Sequence, residues 1–216
     1  MQPRFGNLTK LTAEPARRRL AMANARLKTT VAAPAAASVP QVLAELDTIG
    51  GPIAGVDMLR LLSVALPPRE LVWWACLAGR DVAQVGEAPP PLAAAEAWVF
   101  EPGDERRAAA RAAMEIAEPD DDTTLCAFCA VVAEGTLGPG DLARYDAPPG
   151  AAENAAFGIN IVALSGQGWS MEEGLAYLLD RGLDIARGGD GTKVPRPQKA
   201  SAEGSAETAQ GAGAAP

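Results

Sequence analysis

Cys126 and Cys129 stand three residues apart, the C-x-x-C spacing at which two thiolates can grip a metal ion or exchange a disulfide. A structural zinc site needs four ligands. Only one further cysteine, Cys76, is present, and the chain contains no histidine. Redox chemistry of the thioredoxin type wants the motif at a helix N-terminus that follows a strand. Here Leu125, Val131 and Val132 place it inside an apolar helical pattern. The expectation is therefore a pair of small buried residues. Lack of histidine also removes Ser-His-Asp and Cys-His catalysis.

Other residues with chemical potential read more simply as structure. Gly166-Gln167-Gly168 and the run Gly188 to Lys193 lack the spacing of a phosphate loop and follow no strand pattern, so they are expected to end helices. Asp120, Asp121 and Asp122 lack the spaced acidic loop of a calcium site, and helix capping accounts for them. Glu115, Glu118 and Glu134 show no paired geometry suited to acid–base work. No catalytic residue, no metal ligand and no cofactor is expected. The candidates that remain belong to recognition. Trp73, Trp98 and Trp169 are possible anchors, since tryptophan is enriched at binding hot spots. Arg17, Arg18 and Arg19 form a basic run suited to an acidic partner, nucleic acid or the chain's own acidic body.

The elements that must position these residues are helices. Alanine, the best helix former, supplies 46 of the 216 residues. Aromatic residues are only 5%, which disfavours a large sheet. Residues 1–28 carry seven basic groups against Glu14, whereas the whole chain has a net charge of −8. The acidic body opposes nucleic acid and anionic lipid. The first 30 residues lack the apolar run of a signal peptide, no stretch is long enough to span a bilayer, and cysteines are few. A cytoplasmic protein is expected.

Three regions follow: a basic arm and linker over 1–37, a helical domain over 38–188, and a disordered tail over 189–216, rich in Gly, Ala, Ser and Pro. Residues 13–28 read as a basic helix. Inside the domain, Gly50-Gly51-Pro52 divides two short helices. Pro67-Pro68 starts another, with Leu71, Trp74, Ala75, Ala78 and Val82 as its core stripe. Trp73 sits about 100° from Trp74 on that helix, so the two rings cannot share a surface. Asp104 and the Asp120–Asp122 run are expected to cap helices, Ser170 to Glu173 fits a capping box, and the apolar helix from Ala151 is expected to be central. The sum is an all-α domain of about seven or eight helices in antiparallel pairs, a bundle or a short hairpin stack.

The segment Leu66-Pro67-Pro68-Arg69-Glu70-Leu71-Val72-Trp73-Trp74-Ala75 resembles an uncharacterised bacterial family, a domain of unknown function with a similar L-P-x-R-E-x-V-W-W-A stretch. Ala94 to Val99, Thr123 to Pro139 and Leu183 to Gly188 extend the likeness, which covers roughly 40–188. The resemblance implies an all-helical domain, often encoded near type VI secretion clusters in Proteobacteria. It supplies no catalytic residues. The chain departs from the family pattern at 141–150, where a proline-rich stretch with a histidine is expected. The functional expectation is a non-enzymatic accessory protein, an adaptor or chaperone, with a protein partner such as a secretion-apparatus component. No nucleic-acid partner and no membrane insertion are expected. Two alternatives differ in class: a secretion-associated effector or enzyme of unrecognised type, and nucleic-acid binding through the basic arm.

Overall fold

The computed structural model describes residues 3–83 and 86–199. Among them the chain is all-helical: α1 (Ala16–Met22), α2 (Val39–Ile49), α3 (Gly51–Ala65), α4 (Pro68–Val82), α5 (Pro90–Phe100), α6 (Asp104–Glu115), α7 (Thr124–Val132), α8 (Ala151–Gly166) and α9 (Met171–Ala186), with a 3₁₀ turn at Gly140–Arg144. Eight of them, α2 to α9, fall within the domain expected over 38–188, in line with the seven or eight expected there, and α1 lies in the segment before it.

Local chemistry sets most boundaries. Four helices open with proline in the first two positions, where its fixed φ fits and no N–H is needed. Gly50 and Gly51, at φ +70° and +81°, separate α2 from α3. The Ser170 side chain accepts a bond from the Glu173 N–H, as a capping box requires. Asp121 Oδ1 accepts from the Thr123 N–H at 2.9 Å, ahead of α7. Two expectations change. The residue before α6 is Gly103; Asp104 lies inside the first turn and accepts from Arg107 at 3.2 Å instead of capping. The basic helix expected over 13–28 is only seven residues long, because Asn24 takes φ +49° and turns the chain away.

Helices α4 and α8 pack on each other in the middle. α5, α6 and α7 gather against them as one group, and α3 and α9, with α2 on α3, as another. Val39, Leu43, Leu59, Leu62, Ile159 and Leu178 are fully buried. One buried cation ties α6 to α7. Arg107 is 2% exposed and uses all five of its N–H groups. Nε and Nη2 both donate to the Val131 carbonyl, at 2.9 and 2.7 Å. Nη2 also reaches Thr136 Oγ1, and Nη1 reaches Asp104 and Glu134.

Residues 3–37 lie along this body. The buried Asp57 carboxylate on α3 accepts the N–H groups of Lys28 and Thr29 at 2.6–3.1 Å, and Glu45 on α2 accepts those of Ala32 and Ala33. The Lys10 N–H donates to the Ala186 carbonyl at 2.9 Å, and α1 packs on α3. After α9 the described chain runs on over the body to residue 199. Residues 200–216 of the expected tail lie outside the described residues.

Candidate interaction surface

Helix α4 carries the two tryptophans that open the site. Leu71, Trp74, Ala75 and Ala78 of its expected stripe are buried, whereas Val82 at the helix end is only partly so. Trp74 is 1% exposed and its indole N–H donates to the Leu178 carbonyl at 3.1 Å, fastening α4 to α9. Trp73, one residue on, points elsewhere and is half-buried. Its indole N–H donates to the Asp190 carbonyl at 2.7 Å. Its ring meets Phe100 edge-on at 6.1 Å between centroids, and the Arg80 guanidinium lies 5.4 Å from it. Phe100, the last residue of α5, is 70% exposed. The two rings border a groove of about 440 Å³ edged by Lys10, Arg69, Glu70 and Asp190. Phe100 is one of several large apolar side chains exposed on this surface, and what sets it apart is the second aromatic ring and the groove beside it.

At the C-terminal end of the same helix lies a second feature. Asp81 falls seven residues after Trp74, on the core-facing stripe, and its side chain is 6% exposed. It is met by Arg181 of α9, equally buried, and by Arg196 at 3.5 Å. Trp169 packs edge-on against Tyr177 at 5.2 Å, and each ring has a guanidinium beside it, Arg196 and Arg181 respectively. Burial pushes the Tyr177 hydroxyl above its ordinary pKa, against the pull of Arg181. The adjoining cavity, of about 800 Å³, is bounded by Arg80, Glu96, Leu92, Trp169 and Arg196.

The other residues singled out from sequence lie apart. Trp98 is 2% exposed, packed in the core with no hydrogen-bond partner for its indole N–H among the described residues, and Trp169 is 8% exposed. Apolar neighbours enclose the first ring, and Tyr177, Gly174 and the Arg196 guanidinium cover the second, so neither is an exposed anchor as the chain stands. Trp73 alone of the three lies partly at the surface. Arg17 and Arg18 are exposed on α1, Arg18 paired with Glu14 at 3.2 Å, whereas Arg19 turns inward and donates to the Val64 carbonyl at 2.7 Å. The run therefore does not act as one block.

Cys76, Cys126 and Cys129 are all buried free thiols. Cys126 donates to the Ala75 carbonyl at 3.3 Å, and Cys129 to that of Ala152 at 3.4 Å. Burial, first of all, holds the Cys76 and Cys129 thiols well above their usual pKa, which suppresses the thiolate that redox or metal chemistry needs. Among the described residues no group of His, Cys, Asp or Glu is arranged to hold a metal ion.

Phe100 and the Asp81–Arg181 pair were not picked out from the sequence. Asp81 left a signal there, being a carboxylate on an otherwise apolar stripe, and Arg181 left its mirror image three residues after Leu178. Phe100 left none, since an aromatic residue at a helix end is equally suited to packing inward.

The described residues thus form an all-helical body with an aromatic groove beside α4. A model of a family of unknown function (DUF6931) matches residues 42–186, and the chain belongs to that family. No curated protein and no solved structure matches it. Among the described residues no helix is long and apolar enough to cross a membrane.

Proposed function

We propose that the protein is a non-enzymatic accessory protein of the bacterial cytoplasm, an adaptor or chaperone that works by binding another protein. The observation that carries this reading is the Trp73–Phe100 face, a 70% exposed ring set edge-on against a half-buried one beside an open groove. Aromatic anchors ringed by charged side chains are the usual make-up of interface hot spots. The type VI secretion neighbourhood implied by the family resemblance supplies the setting, with components of that apparatus as partners. The basic groups of the N-terminal segment support a protein partner over nucleic acid, because several are engaged internally: Arg4 with Asp47 and Asp180, Lys10 with Glu70, Arg19 with Glu14 and Val64.

The test is a comparative pull-down from the native bacterium with tagged wild type and Phe100→Glu. Phe100 is exposed enough that the change leaves the core untouched. A secretion-apparatus or other defined partner recovered by wild type and lost with the variant is the expected result. Identical recovery by both chains, or no specific companion for either, overturns the reading.

A further inference from the structure

The stretch after α9 takes an unusual course. Gly188, at φ +98°, ends the helix and lets the chain double back over α4 and α9. The Asp184 carboxylate accepts the Gly191 N–H at 2.9 Å. Gly191 is buried so closely that an added Cβ would stand 2.9 Å from Leu77 Cδ1. The Trp73 indole holds the Asp190 carbonyl, Val194 packs on the core, and Arg196 reaches Asp81. Arg196 also donates to Gln167 Oε1 at 2.9 Å and lies 5.6 Å from the Trp169 ring centre.

The chemistry of this strap is that of a peptide ligand. Pro195 and Pro197 fix their own φ and push Val194 and Arg196 into extended conformations. An extended, proline-set backbone loses little entropy on docking into aromatic-lined surfaces. Arginine is the side chain that both pairs with a carboxylate and stacks on an aromatic ring. The receiving surface supplies both partners in Asp81 and Trp169. The strap is nonetheless open on its outer side. It has no regular secondary structure, most of its residues are exposed, and Arg196 is itself 51% exposed in its ion pair. It also leaves the adjoining cavity of about 800 Å³ open.

We propose that the α4–α9 surface is a docking site for an extended peptide bearing an arginine between prolines, and that residues 190–197 occupy it in cis until a partner's segment of the same chemistry displaces them. The proposal rests on the interaction reading for the existence of a partner, and names the chemistry of that partner's contact. Displacement frees the Trp73 indole N–H, next to the Phe100 groove.

The test uses a fluorescein-labelled synthetic peptide of residues 189–199, titrated by anisotropy against the full-length wild type and full-length Arg196→Ala. Binding to R196A is expected to be at least ~10-fold tighter than to wild type, because a tethered strap competes at about millimolar effective concentration. A peptide with alanine at the Arg196 position is expected to lose at least ~10-fold in affinity, and this control leaves the protein's fold untouched. No saturable binding to R196A up to about 1 mM, or equal binding of the alanine peptide, overturns the proposal. Wild type that dimerises with rising concentration by exchanging straps assigns the site to a second copy and overturns the partner assignment. Absent peptide binding beside Phe100-dependent capture removes this proposal alone, whereas peptide binding without that capture removes the Phe100 reading.

Discussion

Removing the Arg107 guanidinium is the sharpest test of how this helical body holds together. Arg107→Met keeps the buried aliphatic stem and deletes all five donors. The Val131 carbonyl, at the end of α7, then loses both of its charge-assisted bonds, of 2.9 and 2.7 Å. Each such bond contributes about 1.5–3 kcal/mol. The pairs with Asp104 and Glu134 add little, since those carboxylates are 66% and 45% exposed and water replaces the cation. The apolar methionine offsets part of the loss by avoiding desolvation of a charge. The net cost is about 3 kcal/mol, a large share of the ~5–15 kcal/mol that holds a domain folded. Arg107→Lys keeps the charge but not the fork, and should cost about 2 kcal/mol. Urea unfolding followed by tryptophan fluorescence measures both. An R107M chain within about 1 kcal/mol of wild type would refute the claim that this buried cation, and not apolar contact alone, fastens α6 to α7.

Four further outcomes follow from particular contacts. Gly182→Ala should destabilise by about 2 kcal/mol in the same assay, because the new methyl meets Leu62 and stands 3.1 Å from Trp74 Nε1, where α9 crosses α3 and α4. Asp57→Ala should leave the Lys28 and Thr29 N–H groups without their acceptor, and hydrogen exchange at those two amides should rise at least ~10-fold over wild type while core amides change much less. The three thiols should resist a disulfide reagent in the native state and react fully in denaturant; a stoichiometric native reaction would contradict their burial. Cys76, Cys129 and Tyr177 have folded pKa values raised above the unfolded ones, so their contribution is intact below the unfolded pKa and is lost as pH rises. Thermal stability should therefore fall from about pH 8.5 upward, first through the thiols, and a Cys76→Ala/Cys129→Ala chain should fall less steeply over pH 8–10.

How much of this was legible beforehand depends on whether a residue's role is set by its near neighbours or by distant ones. The Pro68 start, the Gly50–Gly51 break and the Ser170 box are fixed by backbone chemistry within four residues, and all are found where the sequence places them. The split between Trp73 and Trp74 follows from helical geometry alone and is equally secure. The fates of Trp98 and Trp169 depend on which helix arrives opposite, and periodicity does not carry that. The N-terminal segment shows the same limit from the other side. Its excess of cations and its linker-like alanines suggest an arm, yet what positions it is a pair of carboxylates, Asp57 and Glu45, that bind its backbone N–H groups and leave its charges to other partners. Backbone donors exist at every residue, so composition cannot mark the ones a distant carboxylate will select.

The strap poses the same problem at the candidate site. Gly, Pro and Lys between 188 and 199 read as a tail by composition, and Arg196 finds its place on Asp81, Gln167 and the Trp169 ring, groups far away in the sequence. A carboxylate set on the core stripe of α4 is costly to bury without a cation, and Arg181 already supplies one. The second guanidinium is not needed for that neutralisation, which is why the Arg196 contact can be given up while the α4–α9 packing stays intact. That difference between the two arginines makes a direct comparison possible. Arg181→Met should lower stability by about 3 kcal/mol, because it strands a buried carboxylate with a half-exposed partner, whereas Arg196→Ala should change it by less than about 1 kcal/mol. Equal losses from the two substitutions would make the strap part of the core and remove the basis for its exchange.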